Sequence, residues 1–378
     1  VKSERLYFSD DISSSIREAE VIIIAVGTPQ TSKGNADMQY VNSVVSSISE
    51  NLNDYKVICT KSTVPIGTGQ KIIDVLNYKF KENNDFCYVS NPEFLREGSA
   101  IKDFLWPDRI IIGTQSKKAY EIMCDIYRPL YINKNPMKHT TIETAEMIKY
   151  ASNSFLALKI SYINEVANLC ESVGADIHDV ASAMGQDGRI SDKYLHPGPG
   201  FGGSCFPKDL ESLVEISKEN NLSMETLNAA INANKNQKII MCNKLKKLIK
   251  NGIKGKNIAV LGLSFKANTD DIRESASIDI INFILNEGGI VRAHDPIAND
   301  SMLKLFSDIL YFTDVYEAIQ GADALVIMTE WNEFRSLDLG RIKKSMNGSY
   351  VLDTRNILNM DELSRLGFIY DNVGRIKN

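Results

Sequence analysis

Apolar residues along this chain change their rhythm twice. Up to about Gly113 they come in short runs: VIIIAV at residues 21–26, KVICTKS at 56–62 and RIIIG at 109–113. Each is too short for a helix and rich in β-branched residues. Between the first two, residues 38–51 repeat their apolar positions at helical spacing. Such alternation predicts βα units on a parallel sheet, with residues 21–26 as a fully buried strand.

From about Thr141 to Val173 the pattern becomes that of one helix. Ile142, Ala145, Ile148, Phe155, Leu158, Ile163, Val166 and Leu169 follow the helical period, and Gly174 suits the position after the last turn. About 30 residues at 1.5 Å each would span more than about 40 Å, a length that joins domains or builds a dimer interface. Further helices are expected to about Lys250. From Asn257 the short runs return: NIAVLGL, a helix over 277–286 closed by Gly288-Gly289, IVRAHDP, and strands at 324–329 and 350–353. The fold class this predicts is α/β, with two Rossmann-like domains joined by a central helical domain containing one long helix. The boundaries fall at 1–138, 139–250 and 251–378.

The two outer regions echo each other. DISSSIREAEVIIIAV (11–26) aligns without a gap on DVYEAIQGADALVIMT (314–329), an acidic residue opening a helix in both. In the second copy 57 residues (257–313) precede this unit; in the first only ten do. The first domain is therefore expected to lack its opening βαβ segment, where a dinucleotide-binding G-x-G-x-x-G would sit, and so to bind NAD poorly as it stands. GPGFGG at 198–203 spells that motif, but HP precedes it and no strand does. It reads instead as a loop that lets a ligand approach the backbone.

Composition narrows the partners. The 378 residues carry a net charge of −5, without the clustered basic excess of nucleic-acid binders. No apolar stretch approaches the ~20 residues that span a bilayer. Six scattered cysteines with no C-x-x-C pair suggest a reduced, cytoplasmic chain, and four dispersed histidines suggest no zinc site.

The strongest chemical signal is GFGGSCFPKD at 200–209. Small residues deliver Cys205 to a predicted helix start, where the helix terminus and Lys208 favour a thiolate. NPEFLREGSAIKDF (91–104) places Glu93 and Glu97 four apart, on one face if helical. Taken alone, such a pair is more often a solvated surface. Lys149 and Asn153 share the same spacing on the long helix, with the same bland alternative. KSTVPIGTG (61–69) and Val26-Gly27-Thr28-Pro29 each follow a predicted strand, where ligands bind in open α/β sheets. GLSFKANTDDIRES (262–275) follows another.

In this order the five segments resemble the UDP-glucose/GDP-mannose dehydrogenase family, over essentially the whole chain. The resemblance implies four-electron oxidation of a sugar-nucleotide CH₂OH to a carboxylate with two NAD. It makes Cys205 the covalent nucleophile, Glu93 the general base, Lys149 the oxyanion stabiliser, and Asn153 and Asp209 organisers of the proton and water network. Thr63 joins both the catalytic and the cofactor set. For NAD it points to Val26, Thr28, Ser62, Thr63, Glu97, Lys208 and Arg273. For the sugar nucleotide it points to Phe94, Leu95, Lys149, Asn153, Tyr194, Leu195, Gly202, Phe265, Lys266 and Arg355. Arg189 would reach the substrate of a neighbouring subunit, which implies a homodimer. On this reading 1–138 is the NAD domain, 139–250 the dimerisation domain bearing the cysteine, and 251–378 the UDP-sugar domain. The segments look most like the UDP-glucose members, and GGSC differs from the GGHC of the N-acetylated branch. A GDP-mannose or other nucleotide-sugar enzyme, a two-electron β-hydroxyacid dehydrogenase and a non-catalytic sugar-nucleotide binder are the alternatives.

Overall fold

The structure is a computed structural model that describes residues 5–31, 36–79, 86–130 and 136–376. It divides into two compact units, Val1–Ser152 with Glu211–Ser223, and Asn153–Leu210 with Met224–Asn378.

The first unit is built on a five-stranded sheet of β1 (Val21–Ile24), β2 (Lys56–Thr60), β3 (Phe86–Ser90), β4 (Ile110–Gly113) and β5 (Met137–Thr140), paired in chain order. β1, β2 and β3 run parallel, but β4 meets β3 antiparallel at Ser90↔Gly113, and β5 is parallel to β4. The expected all-parallel sheet is thus corrected. The link from β3 to β4 contains one short helix, Ala100–Leu105, with no buried residue, so it cannot act as a crossover packed on the sheet. β1 is also corrected: among the described residues it pairs with β2 alone, and Ile23 is 44% exposed at this edge. Its Ile24 still enters the core with Ile16, Val41, Val45 and Ile48 from the helices Ile12–Glu18 and Gln39–Asn51.

The second unit carries six parallel strands: β6 (Asn257–Leu261), β7 (Ile290–His294), β8 (Leu310–Tyr311), β9 (Ala324–Ile327), β10 (Tyr350–Asp353) and β11 (Ile369–Asp371). Their order, β11-β10-β9-β6-β7-β8, is that of the doubly wound Rossmann sheet, with its switch point between β6 and β9. β6 alternates between two cores. Ile258 and Val260 pack with Met241, Leu245, Ile280 and Ile284, while Ala259 and Leu261 pack with Val315, Ile319, Phe334 and Ile342.

The sequence echo survives as matching caps. Asp11 accepts the Ser14 N–H at 3.0 Å before the helix Ile12–Glu18, and Asp314 accepts from Tyr316 and Glu317 before Val315–Ile319. The long helix runs Ile142–Val173, within a residue of its predicted ends. It begins in the first unit and continues into the second, where Ile163, Ala167 and Cys170 join the core. Along its outer side Phe155, Tyr162, Leu169 and Val173 are exposed. No described helix is long and apolar enough to cross a membrane.

Candidate active site

In the first unit the loops after β1 and β2 are stitched together. Ser62 Oγ donates to the Val26 carbonyl at 2.6 Å, and Thr28 Oγ1 donates to the Thr63 carbonyl at 2.8 Å. Val26, Thr28, Ser62 and Thr63, four of the seven residues expected at the cofactor, therefore share one rim beyond the carboxyl ends of neighbouring parallel strands. A Cβ at Gly27 would meet nothing within 4 Å, so the rim is open there. Polar backbone around open space at this end of a sheet fits a nicotinamide nucleotide. Behind the rim, Lys61 Nζ donates to Asn91 Oδ1 (3.2 Å) and Tyr127 Oη (3.0 Å), while Asn91 Nδ2 holds the Ile111 carbonyl. Burial pushes the Lys61 amine below its ordinary value.

Asn91 leads into the segment of Glu93. Lys149, only 3% exposed, donates to both the carbonyl and a carboxylate oxygen of Glu93 at 2.8 Å each. The other carboxylate oxygen takes the Leu95 N–H. Phe94 sits beside them, 5.5 Å from Lys149 Nζ and 3.9 Å from the Arg109 guanidinium. Residues 91–96 are not helical, so Glu93 and Glu97 do not share a helical face as the spacing suggested. The cause is local: the Glu93 carboxylate bonds its own loop's backbone, and Lys149 fixes its carbonyl from outside. A cation this buried is retained because a carboxylate meets it.

In the second unit Cys205 stands directly before the helix Phe206–Glu219, half-buried, and its carbonyl accepts the Asp209 N–H at 2.9 Å. One turn on, the buried Asp209 carboxylate accepts from Asn153 Nδ2 at 2.6 Å and forms an ion pair with Lys208 Nζ at 2.8 Å. Lys208, expected at the cofactor, is thus committed to Asp209. Elsewhere, burial pushes the Cys59 thiol up to about 12 and Cys242 to about 11, and raises Cys170.

Three residues that sequence reasoning missed hold the glycine loop before Cys205. Asn164 Oδ1 accepts the Gly198 N–H, Gln237 Nε2 donates to the Gly198 carbonyl, and Asn234 bonds both N–H and carbonyl of Phe201. Asn234 and Gln237 lie three apart on the helix Glu225–Leu248, both buried, and that amide pair was the available signal. Further along, Gly203 N–H donates to the Arg273 carbonyl at 2.8 Å, while a Cβ on Gly203 would strike the Phe265 ring. The loop therefore packs its backbone against residues 265–274.

That segment leaves the switch point. Arg355, after β10, donates to the carbonyls of Met328 (2.8 Å) and Phe265 (3.0 Å) and pairs with Glu330. Lys266 Nζ lies 5.1 Å from the Phe265 ring centre. Asp295, after β7, is a further missed residue. Its buried carboxylate collects the N–H groups of Leu263, Ser264, Ile297 and Ala298 and the Trp331 indole. The side chains of the remaining expected residues make other contacts. Arg273 pairs with Asp271, Tyr194 lies 6.2 Å from the Phe206 ring at a positive φ, and Leu195 gives its side chain to the core. The Arg189 side chain is 90% exposed and paired with Asp187.

Residues 1–131 match the UDP-glucose/GDP-mannose dehydrogenase family, NAD binding domain; 143–236 match its central domain and 259–360 its UDP binding domain. The chain is 46% identical over 381 residues to the UDP-glucose 6-dehydrogenase of Rhizobium meliloti (strain 1021), covering 99% of this chain and 86% of that one. The chain belongs to the UDP-glucose/GDP-mannose dehydrogenase family. A second family member, the UDP-glucose 6-dehydrogenase TuaD of Bacillus subtilis (strain 168), is 43% identical over 99% of this chain and 81% of its own. The solved UDP-glucose dehydrogenase of Pyrobaculum islandicum superposes with a TM-score of 0.88 at 34% identity, covering 98% of this chain and 83% of that one. The open rim at β1 and β2 lies in the family's NAD binding domain, and the β6–β9 switch point in its UDP binding domain.

Proposed function

We propose that this chain oxidises UDP-glucose at C6 to UDP-glucuronate, consuming one water and yielding two NADH. NAD, when bound, accepts a hydride in each oxidation. Cys205 Sγ adds to the C6 aldehyde, its proton passing to the aldehyde oxygen, and keeps the carbon tethered as a thiohemiacetal; the second oxidation removes a hydride from that carbon and releases the hydroxyl proton to solvent, leaving a thioester. Lys149 offers a fixed cation where an oxyanion develops. Glu93 takes the proton of the water that cleaves the thioester, which returns the thiol. Asn153 and Lys208 orient Asp209 one turn from the nucleophile. Lys266 and Arg355, at the switch point, are suited to the diphosphate.

We read the chain in three parts, 1–138 for NAD, 139–250 for dimerisation and the cysteine, and 251–378 for the UDP-sugar, acting in the cytoplasm as a homodimer. The exposed Phe155, Tyr162 and Leu169 support a helix-mediated dimer, since large apolar residues on one stripe favour a partner. The observation that carries the reaction is the half-buried Cys205 at a helix start in a chain of this family. The test is NADH counted spectrophotometrically per limiting UDP-glucose, with GDP-mannose in parallel. Two NADH and no released aldehyde are expected. One NADH would mean an ordinary alcohol oxidation, and turnover of GDP-mannose alone would reassign the substrate.

A further inference from the structure

Glu146 is buried in the first turns of the helix Ile142–Val173, and none of the roles above uses it. Its two carboxylate oxygens each take a backbone N–H from another segment, Gly67 at 2.6 Å and Gly69 at 2.8 Å. These glycines flank the start of the helix Thr68–Lys79, where N–H groups have no partner within the helix and negative charge is favoured. The approach is close. A Cβ on Gly69 would lie 2.5 Å from the Tyr88 ring, and Gly67 holds a φ of +88°.

The segment that runs into Gly67 carries Ser62 and Thr63, and three residues beyond Glu146 on its helix is Lys149. We propose that Glu146 is a positioning residue: it ties the loop of Ser62 and Thr63 to the helix of Lys149 and thereby sets the affinity for NAD. This rests on the reading of Ser62 and Thr63 as cofactor contacts. Only an ionised carboxylate presents acceptors to both N–H groups at once. Burial raises the Glu146 carboxyl to about 7, against the pull of Gly69 and Gly67, and Glu143 on the same helix adds to the rise. Tyr88 from β3 is the other titratable group facing it, and burial keeps that phenol protonated. As pH falls through about 7, one oxygen gains a proton and the tie to one glycine loosens.

Amide hydrogen exchange and initial rates test this. In Glu146→Gln the amide nitrogen replaces one acceptor, so Gly67 or Gly69 should lose protection and KM for NAD should rise about tenfold, with KM for UDP-glucose within twofold. In the unaltered protein, KM for NAD should climb as pH drops through about 7. Glu143→Gln should move that midpoint to lower pH without changing the rate at pH 8, a shift that a merely structural role would not produce. This pH series stands even if Glu146→Gln fails to fold. Retained protection at both glycines would overturn the tie itself. Lost protection with an unmoved KM for NAD would overturn the link from tie to cofactor, while leaving the oxidation of UDP-glucose untouched.

Discussion

Replacing Gly202 by alanine should slow catalysis far more than it destabilises the protein. A Cβ at that position would overlap the Glu274 carbonyl oxygen, with the carbonyl carbon at 2.8 Å and Phe265 Cβ at 3.2 Å, whereas ordinary contact begins at 3.4 Å. The obstacle is backbone, so a side-chain rotation cannot relieve it. The loop must back away by about 1 Å, stretching the Gly203 N–H bond to Arg273. Overpacking of this kind costs about 1–3 kcal/mol of stability. A misplacement of about 1 Å at a reacting group costs on the order of 100-fold in rate. Cys205 lies three residues downstream, so kcat for UDP-glucuronate formation should fall by that order with the protein still folded. Steady-state rates and thermal unfolding, measured on the same preparation, separate the two effects. A Gly202→Ala protein with an unchanged kcat would refute the idea that backbone contact with residues 265–274 positions the cysteine.

Asp209→Asn removes one partner of a buried ion pair with Lys208 and turns an amide toward Asn153, which should cost about 3–5 kcal/mol and lower Tm; an unchanged Tm in calorimetry would contradict the pairing. Cys205→Ala should abolish acid formation, while Cys170→Ala and Cys242→Ala, whose thiols burial keeps protonated, should turn over nearly normally; chromatographic detection of UDP-glucuronate decides. Arg189→Ala should weaken UDP-glucose use with no change in unfolding, and the native protein should scatter light as a dimer or larger; a fully active monomer would rule this out.

Much of the outline was legible because strand runs and the long helix have periods that neighbours do not alter. The ends of the long helix fall within one residue of expectation, and Asp11 and Asp314 cap their helices as the matching segments implied. What failed depended on partners distant in sequence. VIIIAV reads as fully buried, but a run of four isoleucine and valine residues looks alike at an edge and in the middle of a sheet. Glu93 and Glu97 have helical spacing, yet Lys149, 56 residues away, fixes Glu93 in a non-helical loop. Asn234, Gln237 and Asp295 went unremarked: the amide pair three apart on one helix hints at a polar contact, but nothing local says that a loop's backbone comes to rest on it, or on Asp295.

The exposed stripe on the long helix has a geometric consequence. Phe155, Tyr162 and Leu169 recur every seven residues, whereas a straight helix completes two turns in slightly more than seven. The stripe therefore drifts around the helix by about 20° per repeat. Two straight copies laid against each other along it would part company within a few turns unless they cross or coil. A shallow left-handed crossing of about 20° is the packing that keeps such a seam in register. The aromatic Phe155 lies at one end of the stripe and the small Val173 at the other, so an antiparallel pair would set bulky against small at both ends and leave Tyr162 near the middle.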